Sequence, residues 1–247
     1  MSADALADLI RRRQPCVVLT GAGVSTESGI PDFRSPTGLW AQFDPMEYAS
    51  IDVFRRDPRK VWTFYKPRLA MLDEAEPNQA HRALAELERL GFGHALITQN
   101  IDRLHERAGS KEVVEVHGSI GTSSCPGCGE RYPLERVLEL LEQEDAPVCP
   151  ACGEILKPDV VFFGELLPME QIDRAFALAR EASLMLVVGS ALEVHPVAGL
   201  PLETLSTGGE LAIVNEGATP FDSQAALRIG GRAGDVLARV ATELGGC

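Results

Sequence analysis

Pro15-Cys-Val-Val-Leu-Thr-Gly-Ala-Gly23 is the stretch whose reading decides the fold. A short apolar run without polar alternation reads as a strand buried on both faces, the kind found in parallel sheets covered by helices. The two glycines that end it permit a tight turn. They also let a phosphate approach backbone N–H groups at a helix start. Outward from this point the pattern repeats. Ala3–Arg13 has amphipathic helical spacing, and Pro31–Ala49 has no clean period. Asp57–Leu72 is helically spaced but contains Pro67, and Asn78–Leu90 is a strong helix closed by Gly91 and Gly93. His94–Thr98, Glu112–Val116, Val160–Phe163, Leu184–Gly189 and Glu210–Asn215 read as strands. Ile101–Ala108, Pro168–Glu181 and Ala233–Leu244 read as helices. Strands alternating with helices predict an α/β fold with a parallel sheet covered on both sides.

Gly118–Pro158 breaks this rhythm. Cys125-Pro-Gly-Cys128 and Cys149-Pro-Ala-Cys152 stand 20 residues apart around a helical stretch, Leu134–Glu142. Two such turns present four sulfurs, a tetrahedral set for Zn²⁺ with no position left open, so the metal would be structural. Two disulfides or a redox pair are the other readings of the spacing. Cys16 lies in the first strand and reads as a core residue.

The chain has 247 residues, 45% apolar and 24% charged, which fits one domain with an insertion. Its net charge of -13 argues against a generic grip on nucleic acid. Its longest apolar stretch, Ser183–Leu192, falls short of the ~20 residues of a membrane helix. No signal peptide is read at the start, and a cytoplasmic setting is expected. Nothing in the sequence points to an oligomeric state.

The expected strand ends share a character. Gly21-Ala-Gly23 is followed by Ser25, Thr26 and Ser28, with Thr26 where Gly-x-Gly-x-x-Gly would need its third glycine. Phe33 and Arg34 close the run. Gln99, Asn100 and Asp102 follow the second strand, His117-Gly118 the third, and Gly189-Ser190 and Asn215 two more. Small and polar residues at the carboxyl ends of parallel strands are the pattern of a nucleotide cleft.

The runs GAGVSTESGIPDFRS, TQNIDRLHERAG, VHG, KPDVVFFGE, GSALEVHP and IVN, with the two cysteine pairs, occur in an order that resembles the sirtuins, NAD-dependent protein-lysine deacylases. The match runs from about Leu6 to Leu244. The resemblance implies a Rossmann-like doubly wound domain (1–117 and 159–247) with a small inserted zinc-ribbon domain (118–158). Segment 30–78 would carry the mobile cofactor loop and a helical insertion. It implies NAD and one structural zinc, with acyl-lysine proteins as substrates. Gly21, Ala22, Gly23 and Thr26 would meet phosphate. Asp32, Phe33 and Arg34 would cover the cofactor, Gln99, Asn100 and Asp102 would shape the nicotinamide and ribose pocket, and Gly189, Ser190, Asn215 and Glu216 would hold the adenosine half. Val161, Phe162 and Gly164 on one side, and Leu192 and Val194 on the other, would clamp the substrate backbone as a strand between strands. His117 would be the general base and Asn100 would orient a ribose hydroxyl or water. An imidazole, with a free pKa of ~6.5, suits that work. The products implied are lysine, nicotinamide and 2′-O-acyl-ADP-ribose.

The stretch Val61–Arg68 is similar to the branch that removes malonyl and succinyl groups, with Tyr65 and Arg68 three apart on one helical face. They would hold a distal carboxylate, and Ala49 would widen the acyl pocket. Asp32 and the region from Leu96 to Leu166 resemble deacetylases instead. A plain deacetylase and a protein ADP-ribosyltransferase using the same cleft are therefore the alternatives.

Overall fold

The computed structural model describes residues 2–33 and 35–246. The chain opens with α1 (Ala3–Arg12) and β1 (Cys16–Thr20), followed by two short 3₁₀ turns at Ala22–Val24 and Thr26–Ser28. The stretch without a clean period folds into α2 (Leu39–Gln42) and α3 (Pro45–Tyr48), followed by α4 (Ile51–Arg56) and α5 (Pro58–Glu74). Next come α6 (Gln79–Arg89), β2 (Ala95–Thr98), α7 (Leu104–Ala108) and β3 (Val113–Glu115). The cysteine segment contains β4 (Gly118–Ser124), β5 (Arg131–Pro133), α8 (Leu134–Gln143) and β6 (Lys157–Val160). The remainder is α9 (Met169–Glu181), β7 (Leu184–Val188), α10 (Leu200–Ser206), β8 (Glu210–Val214), β9 (Leu227–Ile229) and α11 (Ala233–Gly245).

Six parallel strands make the main sheet in the order β3-β2-β1-β7-β8-β9. The chain winds outward from β1 to β3, then returns to the other side of β1 for β7 to β9. This is the Rossmann-like doubly wound order, and its direction reverses between β1 and β7. Successive side chains of a strand point to opposite faces. Cys16 and Val18 accordingly pack with α1, α6 and α11, while Val17 and Leu19 pack with α9 and α10. A third core joins α4, α5 and α8 to the small sheet, which has the order β5-β4-β6. At its centre Trp62 is fully buried and donates Nε1–H to the Leu156 carbonyl at 2.8 Å.

Local chemistry explains the element boundaries. Asn78 caps α6 by accepting from Ala80 N and His81 N, while His81 Nδ1 accepts from Asn78 N. Asp57 caps α5 through Lys60 N, and Pro58 takes the first turn, where no N–H is needed. Pro67 lies inside α5 without ending it, so Tyr65 and Arg68 share one helix.

Two expectations need correction. The helix expected from Ile101 begins at Leu104, because Arg103 turns the chain at φ 62° and Asp102 Oδ1 accepts from Leu104 N. The strand expected at Val160–Phe163 ends at Val160, and it runs antiparallel to β4 in the small sheet rather than within the main one. The crossing from the main sheet to the small sheet requires glycine. Gly118 has φ 74°, and a Cβ there would lie 2.1 Å from the Asp159 carbonyl.

Candidate functional site: a cleft at the topological switch

β1 and β7 end side by side, and their ends are joined by backbone hydrogen bonds. Gly21 N donates to Val188 O at 3.2 Å and Gly23 N to Gly189 O at 2.9 Å. A Cβ at Gly23 would sit 2.8 Å from Gly189 O, so only glycine allows this approach. Above the junction opens a cleft of about 1330 Å³. Gly21, Ala22, Gly23 and Thr26 line it from the β1 turn, and Gln99, Asn100 and His117 from the ends of β2 and β3. Gly189, Ser190, Asn215 and Glu216 line it from β7 and β8. Asp32 and Phe33 close it from the loop before α2, where the Phe33 ring stacks on Trp40 at 5.2 Å. Arg34 lies outside the described residues. The sequence-predicted cofactor residues thus converge on one cavity.

Asp102 is the exception. It is buried beneath the cleft wall, where its Oδ2 accepts from Ser25 Oγ at 2.7 Å. Ser25 Oγ in turn accepts from Asn100 Nδ2 at 3.0 Å. Asp102 therefore orients Asn100 through Ser25 rather than touching the cleft itself. Burial raises the pKa of this carboxyl, and hydrogen bonds from Leu104 N, Ser25 and Asn100 oppose the rise.

His117 Nδ1 lies 2.9 Å from the Gln99 carbonyl oxygen. A carbonyl only accepts, so Nδ1 carries the hydrogen and the neutral ring keeps its lone pair on Nε2. Gln99 is fixed in turn by donating Nε2–H to Ser190 Oγ at 2.9 Å and to Thr20 O at 3.3 Å. The His117 imidazole and the Gln99 amide beside it are thus held by groups at the ends of β1, β2 and β7.

A second compartment of the same cleft reaches α5. Ala49, Tyr65, Arg68, Val161, Phe162 and Gly164 line it, with Leu192 and Val194 opposite. Tyr65 and Phe162 are buried, their rings 5.5 Å apart. The Arg68 guanidinium lies 3.6 Å over the Phe64 ring and 4.5 Å over Phe43, and Nη1 donates to Phe64 O at 2.5 Å. Its Nε is buried with no hydrogen-bond partner, and among the described residues no carboxylate pairs with it. Burial lowers its pKa, but a guanidinium stays charged. Val161–Gly164 were expected to offer a strand edge. Their first three N–H groups are already engaged, by the His117 carbonyl, Glu165 Oε2 and the Ala49 carbonyl. A peptide laid there cannot take its donors from Val161, Phe162 or Phe163.

In the small sheet the four sulfurs of Cys125, Cys128, Cys149 and Cys152 lie within 4.8 Å of one another. Cys125 Sγ is 3.3 Å from Cys152 Sγ, and Cys128 Sγ is 3.7 Å from Cys149 Sγ. A tetrahedron with Zn–S of about 2.3 Å has sulfurs about 3.8 Å apart, so the set fits one structural zinc. The Tyr132 hydroxyl, 3.2 Å from Cys149 Sγ, is placed to donate to a ligating thiolate.

Sequence reasoning missed the polar group under the glycine turn. His81 and His105 are buried with ring centroids 4.8 Å apart. His105 Nε2 lies 3.0 Å from Thr20 Oγ1, and His81 Nε2 lies 3.4 Å from Ser25 Oγ. The capping pattern Asn78-x-x-His81 was a usable signal for His81; nothing local announced His105. Burial, and secondarily Arg82, lowers the His81 pKa from 6.5 to about 4, and burial, with His81 beside it, holds the His105 pKa well below its ordinary value. A histidine depressed in the folded state binds its proton more readily when unfolded. Stability is therefore complete above pH 6.5 and is lost as pH falls toward 4. For His81 this amounts to about 3 kcal/mol. Urea unfolding at pH 7 and pH 4.5 should show this loss, and His81→Asn should shrink it; an unchanged slope in the variant would remove His81 as the cause.

Comparison with known proteins agrees with this geometry. The Sir2 family pattern matches residues 21–196. An NAD-dependent protein deacetylase of Thermotoga maritima is 46% identical over 228 residues, spanning 92% of either chain. An NAD-dependent protein deacylase of Thermococcus kodakarensis is 46% identical, covering 94% of this chain and 91% of its own. A solved Sir2 structure with deacetylated p53 peptide and 3′-O-acetyl-ADP-ribose superposes with a TM-score of 0.94 at 44% identity, covering 100% of this chain and 99% of that one. With the doubly wound sheet, the glycine-built switch point and the four-sulfur site in place, the chain belongs to the Sir2 family, the sirtuins.

Proposed function

We propose that this chain is an NAD-dependent protein-lysine deacylase that accepts succinyl and malonyl groups as well as acetyl. The observation that carries the catalytic part is His117, held as the Nδ1–H tautomer at the cleft by the Gln99 carbonyl. The cleft suits the dinucleotide: Gly21, Ala22, Gly23 and Thr26 line it from the β1 turn and Gly189, Ser190, Asn215 and Glu216 from β7 and β8, at the carboxyl ends of parallel strands beside the switch point. When bound, NAD would supply a ribose carbon for the acyl oxygen to attack as nicotinamide leaves, and a ribose hydroxyl to receive the acyl group. Asn100, fixed through Ser25 and Asp102, orients a ribose hydroxyl or water. His117 Nε2 accepts the proton from a ribose hydroxyl, and Phe33 with Trp40 excludes water.

The acyl preference rests on Arg68. A half-buried guanidinium without a carboxylate partner is costly to keep, and a distal carboxylate on the acyl chain would satisfy it. A plain deacetylase is the second reading, favoured by the bond from Arg68 Nη1 back to Phe64 O. Arg68→Met separates the two. A charge-assisted hydrogen bond contributes about 1.5–3 kcal/mol, so kcat/KM for a succinyl-peptide should fall about 10–150-fold, with a far smaller change for the acetyl-peptide. Equal loss on both peptides would leave only the plain deacetylase.

A further inference from the structure

The acyl compartment holds a second ionic feature. Lys157 is the first residue of β6 and Glu165 lies five residues after its end, on the cleft wall. Their side chains are 19% and 22% exposed, and Lys157 Nζ lies 3.0 Å from Glu165 Oε2. Lys157 also donates to the Val160 carbonyl at 2.9 Å and the Pro158 carbonyl at 3.1 Å, so all three ammonium hydrogens have acceptors. Nζ lies 4.2 Å over the Phe162 ring. Glu165 Oε2 also accepts from Phe162 N at 2.7 Å, and the Phe162 ring lies 5.5 Å from that of Tyr65. Lysine, glutamate, phenylalanine, tyrosine and Arg68 thus form one packed series around the space beside α5.

Counting charges along this series shows what Lys157 does. Arg68 contributes one positive charge and Glu165 one negative charge, which would cancel across the compartment. Lys157 neutralises Glu165 and leaves Arg68 uncompensated. Glu165 is close enough to Tyr65 to act on its phenol, raising its pKa in the same direction as burial, while Arg68 lowers it. The carboxylate is therefore felt inside the compartment and is not a remote surface charge.

We propose that Lys157 is a specificity-determining positioning residue: by pairing with Glu165 it keeps the acyl compartment net positive, so that a carboxylate-bearing acyl group is admitted beside Arg68. The proposal rests on the acidic-acyl reading above and adds a residue that never touches the acyl group. It also explains why a cleft wall facing an acidic ligand can include a glutamate.

The test uses the full chain and two peptides differing only in the acyl tip, succinyl-lysine and butyryl-lysine. The readout is the ratio of their kcat/KM values, with peptide competition binding alongside. Lys157→Met is expected to lower the succinyl-to-butyryl ratio by roughly tenfold, because one positive charge is lost from a weakly screened site and Glu165 then offsets Arg68. Glu165→Gln keeps an oxygen to accept from Phe162 N, and it is expected to raise the ratio. The double variant Lys157→Met/Glu165→Gln is expected to return the ratio to near that of the parent chain. If Lys157→Met does not fold, Glu165→Gln decides alone. A purely structural clasp would lower both activities together and leave the ratio unmoved, and that result overturns the proposal. Failure of the parent reading looks different: Arg68→Met would leave the ratio unchanged while Glu165→Gln still raised it.

Discussion

A His117→Ala chain is expected to fold, to keep its zinc, and to lose NAD-dependent deacylation by about 10²–10⁴-fold, the range for a positioned general base. The reasons are geometric. His117 lies in the crossing between β3 and β4, its ring on the cleft and its Nδ1–H on the Gln99 carbonyl. Truncation removes the hydrogen bond to Gln99 and leaves the core intact, since His117 is not part of it and the core on that face of the sheet is built from Val114, Val116 and their neighbours. Thermal unfolding and zinc content should therefore match the parent chain. The reaction should be followed by mass, for free lysine peptide and acyl-ADP-ribose. Near-normal turnover by the variant would dismiss His117 as the base. ADP-ribose appearing on protein instead of on the acyl group would favour the transferase reading.

Removing the metal should have an effect of similar size, by a different route. Structural zinc contributes about 10–16 kcal/mol in small zinc-bound peptides, far more than a three-stranded sheet of this size can replace. Cys125 and Cys149 belong to the same buried core as Trp62, Tyr65, Leu156 and Phe162. Strong chelation, or Cys149→Ser, should therefore loosen the packing around Trp62 and, with it, the acyl compartment. Tryptophan fluorescence, zinc content and deacylation should fall together, and zinc should restore all three after chelation. The main sheet, whose two cores lie elsewhere, should keep its far-ultraviolet signal. Full activity after confirmed metal loss would show that the small sheet holds itself together.

Five of the main sheet's six strands were legible because they are short and apolar and end in small or polar residues; β9, Leu227–Ile229, was not read. Pro15–Gly23 alone indicates strand, turn and cleft. The cysteine spacing was equally plain, since the chemistry of four thiolates leaves few alternatives. What failed to show was pairing across distance. Val160–Phe163 has the composition of a main-sheet strand, yet Gly118 turns the chain so that Lys157–Val160 joins the small sheet. Asp102 has the residue type of a ribose ligand, but its partner is Ser25, 77 positions away in the chain. His105 carries no local mark, because its contacts, Thr20 and His81, come from two other elements. Periodicity records which face is buried and not what buries it.

The hydrogen bond from Trp62 to Leu156 bears on how such chains can be recombined. The helix with Tyr65 and Arg68 and the lobe with the four cysteines are separated along the chain, yet they share one core. A crossover that moved residues 50–74 from one relative to another without 118–162 would pair two halves of an interior never shaped together. The compartment beside Tyr65 and Arg68 is thus built as a two-piece cassette. A graft meant to change it has to carry the metal lobe along.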